Sequence, residues 1–215
     1  MRILGTLVVG LFTLLGSPAL ADLPVINEAQ TSRNGCNYRV KVLEDSEPHP
    51  SQPILVPLYR VVVESEIVSP ATCLLTPGSV ELGTSYLVPK IAIAANDEGL
   101  AVAYSWGAWV RFYGDLTHVR VHRLDPSTLA STRTSSLEGG FVPPGGGGGG
   151  PGSVDLDSLT LYPGFIMVMG TLSGNSISDL SASPYESTQG TGSHFVAIYP
   201  DFFNTTQRPI FDIYY

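Results

Sequence analysis

Apolar and polar positions alternate with a period of two over much of this chain, the spacing of strands with one buried face. The longest such stretch runs from residue 73 to 117. Within it, residues 86–95 (YLVPKIAIAA) and 100–103 (LAVA) flank Asn96-Asp97-Glu98-Gly99. Asn and Asp tolerate turn conformations and Gly supplies a positive φ, so the segment predicts a β-hairpin. Residues 38–43 (YRVKVL) predict a strand, and residues 54–68, rich in β-branched side chains, predict one long strand or two short ones. Residues 44–53 hold His49 between two prolines and predict a loop, because proline withholds a ladder amide. Residues 22–35 are polar and predict an extended arm. Residues 106–112 continue the β pattern across Gly107, where a bulge or bend is expected. Residues 118–123 (HVRVHR) place Val119 and Val121 on one face and His118, Arg120 and His122 on the other. Residues 125–137 predict a short helix, with Asp125 as N-cap and Pro126 at the first position.

The pattern changes at residues 139–152, GGFVPPGGGGGGPG. That glycine density predicts a flexible linker between a first domain, residues 22–138, and an extension, residues 153–215. The extension carries one basic residue, Arg208, against six acidic ones, and ends in a run of aromatics. Aromatics in a solvated tail would aggregate. Strands over 159–172 and 194–199 are therefore expected to pair together or dock on the first domain.

Composition adds the compartment. Residues 1–21 contain Arg2, an apolar run over 3–15 and the small-residue site Ala19-Leu20-Ala21. That is the form of a secretory signal peptide cleaved before Asp22. The apolar run is shorter than the roughly 20 residues a membrane span needs. The expectation is a secreted, extracellular protein with no membrane contact. Formal charge is −8 with no basic cluster, which argues against nucleic acid. Cys36 and Cys73 are the two cysteines, so an oxidising compartment allows one disulfide; the alternative is two buried thiols.

Candidate chemistry is sparse. His118 and His122 share a strand face, with Asp115 and Asp125 near in sequence, but no Cys or Glu beside them completes a metal site. Ser193 and His194 are neighbours, which a strand points to opposite faces, and no G-x-S-x-G is present. The glycine run lacks the Lys-Ser/Thr of a phosphate loop. No enzyme activity, cofactor or bound metal is expected. Asn204-Thr205-Thr206 is a glycosylation sequon.

From residue 36 to about 137 the order of features resembles the netrin-like module of the tissue inhibitors of metalloproteinases. The matching features are the YRVKVL strand, Cys73, Leu82-Gly83-Thr84-Ser85-Tyr86-Leu87-Val88, the turn at Asn96–Gly99, and Trp109 leading to Asp115-Leu116-Thr117. The resemblance implies an all-β domain of small helix content, a five-stranded Greek-key OB-fold barrel, with the opening hairpin as its fourth and fifth strands. It also implies inhibition of a zinc metalloprotease. In the family, the amine and carbonyl of a mature N-terminal cysteine chelate the protease zinc, beside a second contact ridge. The contact residues implied here are Asp22, Leu23, Pro24 and Val25 at the terminus, and Ser69, Pro70, Ala71, Thr72 and Cys73 on the ridge. The expected terminus is Asp22, however, and lacks the chelating cysteine. The alternative expectation is a non-inhibitory extracellular binding module for matrix or signalling proteins.

Overall fold

A computed structural model describes residues 23–49, 52–110, 114–144, 149–181 and 187–215. Residues 1–22, which hold the expected leader and Asp22, and residues 111–112 of the expected 106–112 strand lie outside them. All regular structure among the described residues is β, and the expected short helix is absent. Two antiparallel sheets are present. The first contains β1 (Val25–Arg33), β2 (Cys36–Pro48), β3 (Leu55–Ile67) and β4 (Gly78–Ser85) in that order. The second contains β5 (Ile91–Ala95), β6 (Leu100–Val110), β7 (Gly114–Leu124), β8 (Ser131–Phe141), β9 (Gly150–Tyr162), β10 (Phe165–Ser173), β13 (His194–Pro200) and β14 (Ile210–Tyr214), in the order β14-β13-β10-β9-β8-β7-β6-β5. Two short strands, β11 (Ser176–Asp179) and β12 (Ser187–Gln189), pair with each other, and β11 also pairs with β8.

The first sheet is a meander of consecutive strands. Neither sheet closes into a barrel among the described residues, so the expected five-stranded Greek-key barrel is not found. The second sheet instead curls back on itself. Residues of β6, β7, β8, β9, β10 and β13 share one core, which includes Val119, Leu137, Val168 and Phe195. A second core joins Tyr38, Val40, Val61 and Val63 of the first sheet to Leu100, Val102 and Tyr104 of β6. β6 is the hinge of this plan. Its even residues from 100 to 104 face the first sheet, and Ala101 and Ala103 face the other core. A strand covered on both sides reads as a continuous apolar run, as LAVAY does.

Several boundaries differ from expectation for local reasons. The polar arm is an edge strand: residues of β1 pair with β2 around the two-residue turn Asn34-Gly35, both with positive φ. That is the geometry an Asn-Gly hairpin prefers. β2 runs on through Pro48, so residues 44–48 are strand rather than loop. Within residues 54–68, Leu55–Ile67 form one strand, β3. The first arm of the opening hairpin is only Ile91–Ala95, because residues 86–90 cross from one sheet to the other, with Pro89 in the crossing. The turn itself holds, with Asn96 Oδ1 accepting from the backbone N–H of Glu98 and Gly99 at 2.9 and 3.1 Å. Gly107 makes no bulge. β6 and β7 stay in register through it, and its missing side chain leaves room for Leu87.

The expected helix at 125–137 is a single turn followed by β8. Asp125 Oδ1 accepts from the amides of Ser127 and Thr128, and Asp125 N–H donates to the Ala130 carbonyl at 2.9 Å. These bonds have the form of a helix cap, but they close the β7–β8 connection and no helix follows. Leu129 adopts a positive φ of 59°, which ends helical propagation.

The glycine segment is also not a free linker. Gly139, Gly140 and Phe141 pair directly with Gly152, Pro151 and Gly150, so β8 and β9 form a hairpin. Residues 145–148 of the segment lie outside the described residues. Glycine is used here for close backbone approach: a side chain at Gly152 would collide with the Ser173 carbonyl, and one at Gly174 with Gly140. The second sheet is therefore continuous across the expected domain boundary. The expected 159–172 strand is two strands around Pro163-Gly164, and β10 pairs with β13.

Candidate functional site

The strongest candidate is the loop between β3 and β4. It begins at the end of β3 and is drawn against the β1–β2 turn. Val68 and Ser69 both donate backbone N–H to the Gly35 carbonyl, at 2.8 and 2.9 Å. Thr72 and Cys73 then donate to the Ser69 carbonyl at 3.1 and 2.8 Å, winding residues 69–73 into one tight turn. The Cys36–Cys73 disulfide, with Cα atoms 5.0 Å apart, fastens this turn to the start of β2. Gly35 is required there, since a side chain would strike Ser69 and Thr72.

This bracing has a visible consequence. Cys73 is 3% exposed and Leu75 enters the core, but Leu74 between them is 92% exposed. Val68 is also exposed on the other side of the turn. A shallow crevice of about 180 Å³ lies alongside, lined by Asn34, Thr72, Leu74, Asn96, Asp97 and Ser127 among others. Arg33 Nε donates to Asp97 Oδ1 at 2.8 Å and ties the two hairpin turns at its rim. This hydrogen bond holds the Asp97 carboxyl below its ordinary range and raises the Arg33 guanidinium.

The two sets of contact residues implied by the resemblance are not brought together. The Pro24 carbonyl accepts from Glu44 N–H at 2.9 Å, and Val25 is paired with Leu43. Leu23, Pro24 and Val25 thus lie at the start of β1. Ser69, Pro70, Ala71, Thr72 and Cys73 lie beyond its end, about 27 Å away at about 3.4 Å per residue. The disulfide braces the ridge to the β1–β2 turn, not to the N-terminus.

His118 and His122 do share a face, but it is buried rather than solvated. Four residues along a strand separate them by about 13 Å. Arg120 stands between them, its guanidinium 4.7 Å over the Trp106 ring. His118 packs on Trp106 and His122 stacks on Tyr104, at ring separations of 4.7 and 5.7 Å. Burial, with the Arg120 charge second, holds both imidazoles below their ordinary range, His122 to about 4. Both imidazoles belong to a packed aromatic layer with Tyr104 and Trp106. Among the described residues, no group of three His, Cys, Asp or Glu is placed to hold a metal ion.

Ser193 Oγ and His194 Nδ1 lie 3.1 Å apart at an exposed site, with His194 stacked on Tyr214. Asn204 is exposed in the turn after β13, where its Nδ2 donates to Asp201 Oδ1 at 2.8 Å. One buried polar network had no sequence signal. Ser135 Oγ donates to Asp179 Oδ2 at 2.6 Å and lies 2.8 Å from the Tyr199 hydroxyl, joining β8, β11 and β13. Burial raises the Tyr199 phenol strongly. These side chains hold strands together, and Asp179 also lines a surface crevice with Arg133, Thr134 and Arg208.

Leu74 was likewise missed. Its signal was the pair Leu74-Leu75 directly after a cysteine, where alternation buries one leucine and exposes the other. What the fold and the ridge define is an all-β protein of two antiparallel sheets presenting one disulfide-braced apolar loop. Compared with protein-family models, curated proteins and solved structures, the chain matches none.

Proposed function

We propose that this chain is an exported binding module that docks another extracellular protein on the loop from Val68 to Leu74. One observation carries the reading: Leu74 is almost fully exposed beside a cysteine that the disulfide holds in the core. An exposed leucine on a mobile loop has little meaning. On a loop fixed before binding, it lowers the ordering cost of association and can fill a partner's pocket. Ser69, Pro70, Ala71 and Thr72 form the rim of that contact.

The narrower reading is a metalloproteinase inhibitor of netrin-like, OB-type ancestry. The ridge would suit it, but Leu23, Pro24 and Val25 stand at the far end of β1 and carry no chelating cysteine. The non-inhibitory module is therefore favoured. Mixing the protein at micromolar concentration with a panel of extracellular zinc metalloproteases should leave their peptidase activity unchanged. Inhibition that Leu74→Asp abolishes would replace this reading with the inhibitory one.

A further inference from the structure

Asn204-Thr205-Thr206 is the single Asn-x-Ser/Thr of the sequence, and neither the two cores nor the ridge accounts for it. Glycosylation of such a motif needs the amide nitrogen of the Asn and the hydroxyl two positions on, presented on an accessible loop.

The fold sets these two side chains apart from their neighbours. β13 ends at Pro200, and Asp201, with a positive φ of 43°, turns the chain. Asp201 N–H donates to the Gly164 carbonyl at 2.7 Å, and the Asp201 carbonyl accepts from the N–H of Asn204 and of Thr205, each at 3.0 Å. Phe202 enters the core and Phe203 packs against it. Two guanidiniums hold the inner side of the segment. Arg123 donates to the carbonyls of Phe202 and Phe203 at 3.1 and 2.7 Å, and Arg133 donates to that of Thr205 at 3.1 Å and to that of Gln207. The Thr205 hydroxyl turns back onto the Pro200 and Asp201 carbonyls. Asn204 and Thr206 alternate with these anchored residues, and both are exposed.

The acceptor atom is also compatible with the folded turn. Asn204 Nδ2 carries two hydrogens, and its donation to Asp201 Oδ1 at 2.8 Å uses one of them. A bond to a sugar replaces the other, so the turn has an N–H left to donate after modification.

We propose that Asn204 carries an N-linked oligosaccharide, transferred in the secretory lumen from a lipid-pyrophosphate-linked donor. Nδ2 bonds to the anomeric carbon of the sugar. The bond from that carbon to the pyrophosphate oxygen breaks, the lipid pyrophosphate leaves, and the amide proton passes to a carboxylate of the transferase. The site rests on the export proposed for this chain, and not on which partner the ridge takes. Its position still bears on the ridge. The Phe203 ring lies against Gly99, which with Asn96 and Asp97 lines the crevice beside Leu74, so the glycan stands toward the ridge's end of the molecule.

The test expresses the full chain, leader included, in a eukaryotic secretory host. Protein from the medium is analysed by intact mass, N-terminal sequencing and peptide mapping. The expected result is one N-glycan per chain, which peptide N-glycosidase removes, leaving aspartate at position 204. Asn204→Gln and Thr206→Ala should each abolish the added mass, and Thr206→Ser, which keeps the hydroxyl, should retain it. Thr206→Ala leaves the Asn204–Asp201 hydrogen bond in place, so its result does not depend on the turn surviving Asn204→Gln. Wild type exported with a bare Asn204 would overturn the proposal and leave the binding module standing. Wild type retained in the cell with its leader uncleaved and Asn204 bare would overturn both. Added mass that survives Thr206→Ala would place the sugar elsewhere and overturn the assignment to Asn204.

Discussion

Replacing Cys36 and Cys73 with serine should lower the unfolding free energy by about 4 kcal/mol, the loop-closure contribution expected for a bridge of this span. The two cysteines are separated by 37 positions that include all of β2 and β3. Without the bridge, the denatured chain regains the freedom of that loop. The native loop also loses its fastening: the Val68 and Ser69 hydrogen bonds to the Gly35 carbonyl remain, but Cys73 is no longer held in the core. Urea denaturation of wild type and double variant measures the difference directly. Hydrogen exchange should show the amides of residues 68–73 opening before those of β2 and β3. A loss below about 1 kcal/mol, with unchanged exchange in the loop, would mean the backbone contacts hold the ridge without the bridge.

Acidification should destabilise the fold before its carboxylates titrate, and His122 should account for most of the effect. Its folded value of about 4 lies below the ordinary 6.5, so the folded state refuses a proton that the unfolded state accepts. Above the ordinary value both states are neutral and no linkage exists. As pH falls through the window between the two, stability is lost, by about 2 kcal/mol from about pH 7 to about pH 5 and about 3 kcal/mol by about pH 4. His118 acts in the same direction. Glu138, whose Oε1 lies 3.7 Å from His118 Nδ1, is raised by burial and partly offsets the loss at the acidic end. Asp45, Asp97 and Asp125 are lowered and contribute only at still lower pH. Tyr104, Trp106 and Arg120 complete the surroundings, and Arg120 adds to the cost of a second cation. His122→Gln keeps a polar partner for Ser131 and Thr134 but cannot take up the proton. Its stability should therefore vary much less over this window. Equal pH slopes in the variant and wild type would remove His122 as the cause.

The sequence showed the β character plainly because period-two alternation is a backbone property. It survived wherever a strand had one buried face, as in YRVKVL of β2. It failed at edge strands. β1 is mostly exposed, so VINEAQTSR carries no alternation, and only Asn34-Gly35 marked its hairpin. It failed again where one residue type serves two purposes. Glycine at 139–152 signals flexibility by composition but serves tight backbone packing in the β8–β9 hairpin. Asp125-Pro126 starts a helix or caps a turn, and β8 pairing decides which. That the His118 and His122 face of β7 is buried too was likewise unreadable, because it depends on packing against Trp106 and Tyr104 of β6. The ridge was half legible. Cys36 and Cys73 allowed one bridge, with two buried thiols as the alternative, but what the bridge would fasten depended on the unseen β1–β2 turn.

The central claim is that the braced loop docks a protein partner through Leu74. A photo-crosslinking residue placed at position 74, in protein exposed to the extracellular fluid into which we propose it is exported, measures this most directly. The claim expects one discrete adduct that disappears when unlabelled wild type competes, persists against a Leu74→Asp competitor, and is absent when the same probe replaces Ser79 on the outer edge strand. Equal labelling from positions 74 and 79, or competition by Leu74→Asp as strong as by wild type, would contradict it.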